Sequence, residues 1–269
     1  MASPALNEKT FAPEKVDKLW ADTGGGAAGY AAGTGLASGG AAVPRAAVMS
    51  LDGTIAKSFF LLAFLIAGAT FGWNQVSVTA TQVRIPGWIW IVMFVALGLA
   101  LVTIFRPQSA RLTGMGYALA EGVVVGAISK VYNEQWKGIA LQAVICTIAV
   151  FAVMLGLYTS RAIRVTPRVR QVVIGATLGI FVAYLVMMVI GLFTGSMGLI
   201  TDAGPMGIIF SVIIVGVAAF NLLLDFDMVE KGVAAQAPKY MEWYCGFGIL
   251  VTVVWLYLEM LRLLGKLRS

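Results

Sequence analysis

The chain has 269 residues, of which 59% are hydrophobic and 12% charged, with a mean hydropathy of +0.88. Soluble domains carry roughly 25% charged residues; half that, with apolar runs of about 20 residues repeated along the chain, excludes a soluble globular fold and indicates a polytopic membrane protein embedded in a lipid bilayer. The net charge of +6 comes from basic residues lying between the apolar runs, so it reads as a topology signal and not as a nucleic-acid footprint.

Residues 1–54 form a first region, expected to be flexible and cytoplasmic. Its start mixes Lys9, Lys15 and Lys18 with Glu8, Glu14 and Asp17 and lacks the apolar core of a secretory signal. A Gly/Ala-rich low-complexity stretch follows over 24–44. Its Gly33-Thr34-Gly35 has no preceding strand and no following Gly-Lys-Ser/Thr, so it is not a phosphate loop. Residues 55–269 form the membrane domain. Ser50 or Asp52 caps a first span over 55–73, where Lys57 can snorkel. A polar, β-branched loop leads to span two, 87–105, whose Trp88 and Trp90 suit a headgroup interface and which ends at Arg106-Pro107. Span three, 112–132, carries Gly114, Gly116, Gly122 and Gly126 for close helix contact, with Glu121 near its middle. Span four covers 138–158. Arg161, Arg164, Arg168 and Arg170 then make the most basic loop, with Pro167 as a helix breaker. Spans five, six and seven cover 172–193, 205–228 and 240–264. The loop between the first two of these is Gly-rich and holds Asp202.

Seven spans, all helical, are thus expected. With the amino terminus inside, the cytoplasmic side takes 13 basic residues: Lys9, Lys15, Lys18, Arg45, Lys57, Arg106, Arg111, the four arginines of 161–170, Lys231 and Lys239. The opposite side takes six, Arg84, Lys130, Lys137, Arg262, Lys266 and Arg268. The positive-inside rule therefore places the amino terminus in the cytoplasm, and the cell inner (plasma) membrane is the expected location. The basic carboxyl end departs from that rule.

Cys146 and Cys245 fall inside apolar runs, where packing is expected. No histidine is present, which leaves proton chemistry to carboxylates. Four acids lie within or at the ends of spans: Glu121, Asp225, Asp227 and Glu259. Asp225 and Asp227 stand in Asn221-Leu222-Leu223-Leu224-Asp225-Phe226-Asp227-Met228-Val229-Glu230, where span six is ending. Glu121 lies about 15 Å into its span and has no basic neighbour there. Acids at membrane depth usually face a bundle interior or wet cavity. Glu121 and Asp225 are expected to share an inner half-cavity, holding a proton as the pH falls and attracting a cation as it rises. Both are candidate transient ligands for Ca²⁺, which takes oxygen donors. Asp227 and Glu230 are equally readable as solvated at a helix end. Glu259 has Arg262 one turn on, which favours a structural pair. No enzyme is expected: Gly195-Ser196-Met197-Gly198 lacks a partner base, the aspartates are not split between two spans as a two-aspartate protease needs, and no nucleotide signature occurs. No cofactor is expected.

Three stretches resemble the Bax inhibitor-1 (TMBIM) family, in particular its bacterial branch. They are the run from Tyr117-Ala118-Leu119-Ala120-Glu121-Gly122 to Gly126-Ala127-Ile128-Ser129, the run from Asn221 to Glu230, and the last span from Lys239-Tyr240-Met241-Glu242-Trp243-Tyr244 through Trp255-Leu256-Tyr257-Leu258-Glu259-Met260-Leu261-Arg262. The resemblance implies seven helices with the last at the centre, and a pH-sensitive Ca²⁺ leak. It also implies a latch of two aspartates, one each in spans six and seven. Asp225 matches the first. One alignment places Glu259 at the second; another places Val251 or Thr252 there, with Glu121 standing in for the missing carboxylate. The leading expectation is a Ca²⁺ leak channel or transporter gated by carboxylate protonation, with Ca²⁺ and protons as its small partners. The rivals are a non-transporting regulatory factor that binds a membrane protease or another membrane-protein partner, and a proton-coupled carrier.

Overall fold

The computed structural model describes residues 48–79, 82–194 and 203–269. The Gly/Ala-rich region up to residue 47 and Asp202 lie outside the described residues. Seven helices are long and apolar enough to cross a membrane: α1 Leu51–Gln75, α2 Trp88–Phe105, α3 Ala110–Gln135, α4 Ile139–Thr159, α5 Pro167–Thr194, α6 Pro205–Ala234 and α7 Met241–Arg268. The expected all-helical bundle of seven spans is therefore present. The polar loop after α1 adds a short antiparallel hairpin, β1 Ser77–Thr79 with β2 Gln82–Arg84, and a 3-10 turn, Pro107–Ser109, joins α2 to α3. Helices α1, α3, α5 and α7 begin at one end of the bundle, here the near end, and finish at the far end.

Lipid offers no hydrophobic drive for helices to associate, so contact depends on small residues and on polar groups. The closest pair, α1 with α3, shows the first device. Gly68 and Gly72 of α1 lie against the backbone of Leu119 and Val123, while Gly122 and Gly126 of α3 lie against the backbone of Leu65 and Ala69. Two Gly-xxx-Gly faces thus interlock, and a Cβ at any of the four would strike a backbone oxygen. Of the four glycines expected to do this in α3, Gly122 and Gly126 do; Gly114 and Gly116 meet only side chains.

Helix α7 is the centre, packing on α1, α3, α4 and α6 and reaching α5 through side chains. Half of its most apolar stretch is buried, as in α6, whereas α5 buries 11% and α2 17%; these two stand at the lipid face.

Several helices run past their apolar stretch. Helix α1 starts at Leu51 with Ser50 as its cap, Gly53 N–H donating to Ser50 Oγ at 3.1 Å. Helix α6 continues beyond Met228 to Ala234 and closes with Gln236 in the left-handed region (φ 51°) and Ala237 N–H donating to Gly232 O at 3.0 Å. Hydropathy marks where lipid stops, and polar residues carry the helix further into water. Asp225 is therefore nine residues, about 13 Å, inside α6 and not at its end. Pro167 begins α5 instead of breaking a helix, because its missing N–H costs nothing in a first turn.

Candidate functional site

Three helices place polar residues at heptad spacing on the faces they turn to one another. Helix α5 contributes Arg170, Thr177 and Tyr184; α7 contributes Thr252, Glu259 and Lys266, with Arg262 beside them. Helix α6 contributes Ser211 and Asp225, with Asn221 one turn before the aspartate. At 100° per residue each set holds to one side of its helix. The result is a polar seam down the middle of an apolar bundle.

Asp225 lies at the centre of the seam and is 2% exposed. The Thr252 hydroxyl of α7 is within hydrogen-bonding reach of its carboxyl and Cys245 is within electrostatic range. Among the described residues its Oδ2 has no hydrogen-bond partner, and neither does Oδ1 of fully buried Asn221 nor Oγ of Ser211. Asn221 spends its amide on Thr177 Oγ1 at 2.9 Å and on Val217 O at 2.8 Å. Buried acceptors without donors are uncommon, since each forfeits its hydration.

Ion pairs close both ends of the seam. At the near end Arg170 donates to Asp227 Oδ2 at 2.6 Å, and Lys231 lies 3.0 Å from the same oxygen. Glu230 accepts from Arg161 at 2.7 Å and from the Tyr158 hydroxyl. Asp227 and Glu230 are thus not simply solvated: they fasten the arginine-rich loop to the end of α6. At the far end Glu259, 2% exposed, accepts from Arg262 Nη1 at 2.8 Å on both oxygens and from Tyr184 at 2.7 Å. The expected Glu259–Arg262 pair is present, and Glu259 is held away from Asp225. The α7 residue facing Asp225 is Thr252, so the alignment without a second carboxylate is the one the geometry supports.

Glu121 is half-buried and makes no hydrogen bond or ion pair among the described residues; Tyr117, one turn before it, is within electrostatic range. It does not share a chamber with Asp225. Tyr117 stacks edge-on with Phe247, 5.1 Å between centroids, and Ser129 bonds Tyr257 at 2.6 Å. These contacts bracket Glu121 at the level of Val251, but Phe247 and Tyr257 each stand five residues from Thr252, about 140° around α7. The central helix therefore separates the two acids. Counting along the sequence set Asp225 near the end of its span and shallower than Glu121; the longer α6 brings the two to one level, and azimuth keeps them apart. One cation cannot bridge them, and no group of three His, Cys, Asp or Glu residues fit to hold a metal occurs among the described residues.

The sequence reading missed Glu242. It is wholly buried in the first turn of α7, where Oε1 accepts from Ser50 N–H and Oγ at 2.9 Å each, and Oε2 takes Lys57. Lys57 does not snorkel into headgroups; it turns inward, 5.5 Å from the Trp243 ring centroid. The signal was present as a helix-capping serine and a lysine two turns along one face. Cys146 and Cys245 are free thiols, as expected of packing residues.

Six membrane helices around a central seventh, with a buried carboxylate at mid-seam, define a multi-pass integral membrane protein. The family model described as Bax inhibitor 1 like matches residues 4–269, and the chain belongs to that family. No curated protein sequence matches the chain.

Proposed function

We propose that the protein is a pH-sensitive Ca²⁺ leak channel or transporter in which proton occupancy of Asp225 sets passage along the α5–α6–α7 seam. The observation that supports this is the Asp225 carboxyl itself, buried at membrane depth with one oxygen that no described residue satisfies. An ionisable group so placed is costly and is by default functional. Ionised, it attracts a cation, with Thr252 and Asn221 as neighbouring oxygen donors suited to a hard ion; protonated, it does not. Ion pairs at both ends make the present arrangement a closed one. We place the amino terminus in the cytoplasm of a bacterial inner membrane. At the basic carboxyl end, which departs from the positive-inside count, Arg262 pairs with Glu259, Lys266 donates to Gly207 O at 2.9 Å, and Arg268 donates to Gln142 at 2.7 Å.

Ca²⁺ flux into dye-loaded liposomes, measured across pH, tests the reading. Asp225→Asn should flatten the pH profile, while Glu121→Gln, on the other side of α7, should leave it in place. A wild-type profile in Asp225→Asn refutes the mechanism. Absence of any flux from folded wild type, with a membrane protease retained on the purified protein, favours the regulatory factor instead.

A further inference from the structure

The near end holds a cavity beside the ion pairs that close the seam. It has a volume of about 310 Å³ and is lined by Tyr158, Arg161, Arg164, Asp227, Glu230 and Lys231. It lies where α4 ends, α5 begins and α6 runs past its apolar stretch, which is the headgroup depth of a bilayer. Both carboxylates in its wall are matched by cations: Glu230 by Arg161, and Asp227 by Lys231 and by Arg170 from the first turns of α5. Arg164 is the surplus charge. Its guanidinium makes no hydrogen bond or ion pair among the described residues, and exposed Arg168 stands one helical start away with none either. The backbone is also held unusually here. Arg161 sits in the left-handed region at φ 58°, a conformation that disfavours residues with a Cβ. It aims the guanidinium back at Glu230 and leaves the loop wrapped around the cavity.

We propose that this cavity binds a phosphate-bearing anion, gripped by the open fork of Arg164. A guanidinium offers two parallel N–H donors matched to phosphate oxygens, and basic pockets between membrane helices on the cytoplasmic side suit anionic lipid headgroups. Lys231 adds a second positive charge to the wall. A bound phosphate competes with Glu230 and Asp227 for their arginines, and so acts on the near-end closure of α6. The site rests on the cavity and its charges alone, so its binding test is independent of ion flux.

The test uses the full chain in nanodiscs of phosphatidylcholine with or without phosphatidylglycerol, reading lipid retention by native mass spectrometry and affinity by titration. Wild type should retain phosphatidylglycerol in preference to phosphatidylcholine, and Arg164→Gln should weaken that retention about fivefold, the loss expected for one basic residue at an anionic surface. Arg111→Gln, an exposed arginine at the same end but outside the cavity, should leave it unchanged. Thermal unfolding confirms that both variants are folded. Resistance of phosphatidylglycerol binding to millimolar inorganic phosphate identifies a lipid headgroup; displacement by inorganic phosphate, itself lost in Arg164→Gln, identifies a soluble phosphate. Equal weakening by both substitutions, or binding of neither probe, overturns the proposal.

Discussion

Replacing Glu242 by Gln tests how the near end is held together. The carboxylate is 0% exposed and Lys57 is 18% exposed. Glu242→Gln strips the charge that Lys57 faces and leaves an amide among donors: Ser50 N–H, Ser50 Oγ and the ammonium. Breaking a buried pair by removing one partner costs about 3–5 kcal/mol. The amide oxygen still accepts one bond from Ser50, and Lys57 retains some solvent, so the lower figure, about 3 kcal/mol, applies. For a chain of this size that is roughly 6–12 °C in Tm. Thermal unfolding in detergent, followed through Trp243 beside Lys57, reads it. Lys57→Met combined with Glu242→Gln removes the stranded charge as well and should recover more than half of the loss, the signature of coupling between neighbours. A Glu242→Gln protein within about 0.5 kcal/mol of wild type, the range of an ordinary surface substitution, would refute the reasoning.

Gly126→Ala should destabilise by about 1–3 kcal/mol or more, since its methyl meets the Ala69 backbone, which no rotamer change can move. Gly156→Ala, with nothing within 4 Å, should be neutral in the same detergent melts. At the far end Tyr184→Phe deletes a hydroxyl that donates to Glu259 at 2.7 Å and accepts from Arg262 at 2.5 Å. Bonds to charged groups are each worth about 1.5–3 kcal/mol, so a loss of about 2 kcal/mol is expected after rearrangement, and a Tm equal to wild type would show that the far end is not locked by this residue.

The number and order of helices were legible because a bilayer demands about 20 apolar residues per span and the chain supplies seven such runs. Their ends were less legible: α6 gains six residues beyond Met228 because Glu230 and Lys231 are as content in a solvated helix as in a loop. The site was half legible. Asp225 stood out as an acid in an apolar run, and Glu259–Arg262 as an i, i+3 pair. Which acids meet could not be read, because depth along a helix follows from counting whereas azimuth depends on which neighbour lies where. Glu121 and Asp225 share a level and lie on opposite sides of α7 for that reason. Glu242 was hidden differently. It occupies a first turn, where an acid is usually a solvated partner of the helix dipole, and only the chain fold brings Ser50 and Lys57 onto it across 185 or more positions.

The polar stripes explain why three helices with different lipid exposure act together. Helix α5 is nearly all lipid-facing, yet its Arg170, Thr177 and Tyr184 each bond to α6 or α7. In lipid such bonds are what can hold a helix that has few small residues at its contacts. Among the described residues the middle of the stripe is under-satisfied, at Asp225 Oδ2 and Asn221 Oδ1, whereas its two ends carry charged pairs. A stripe meant only to bind helices would gain by pairing its centre, since a neutral donor opposite Asp225 would remove the penalty of an unmet acceptor. Thr252 offers a single hydroxyl there, which also reaches Gly248 O at 3.3 Å. The arrangement thus gives up stability at mid-seam and recovers it at the two ends, the distribution that the proposed passage of protons or ions along the seam would call for.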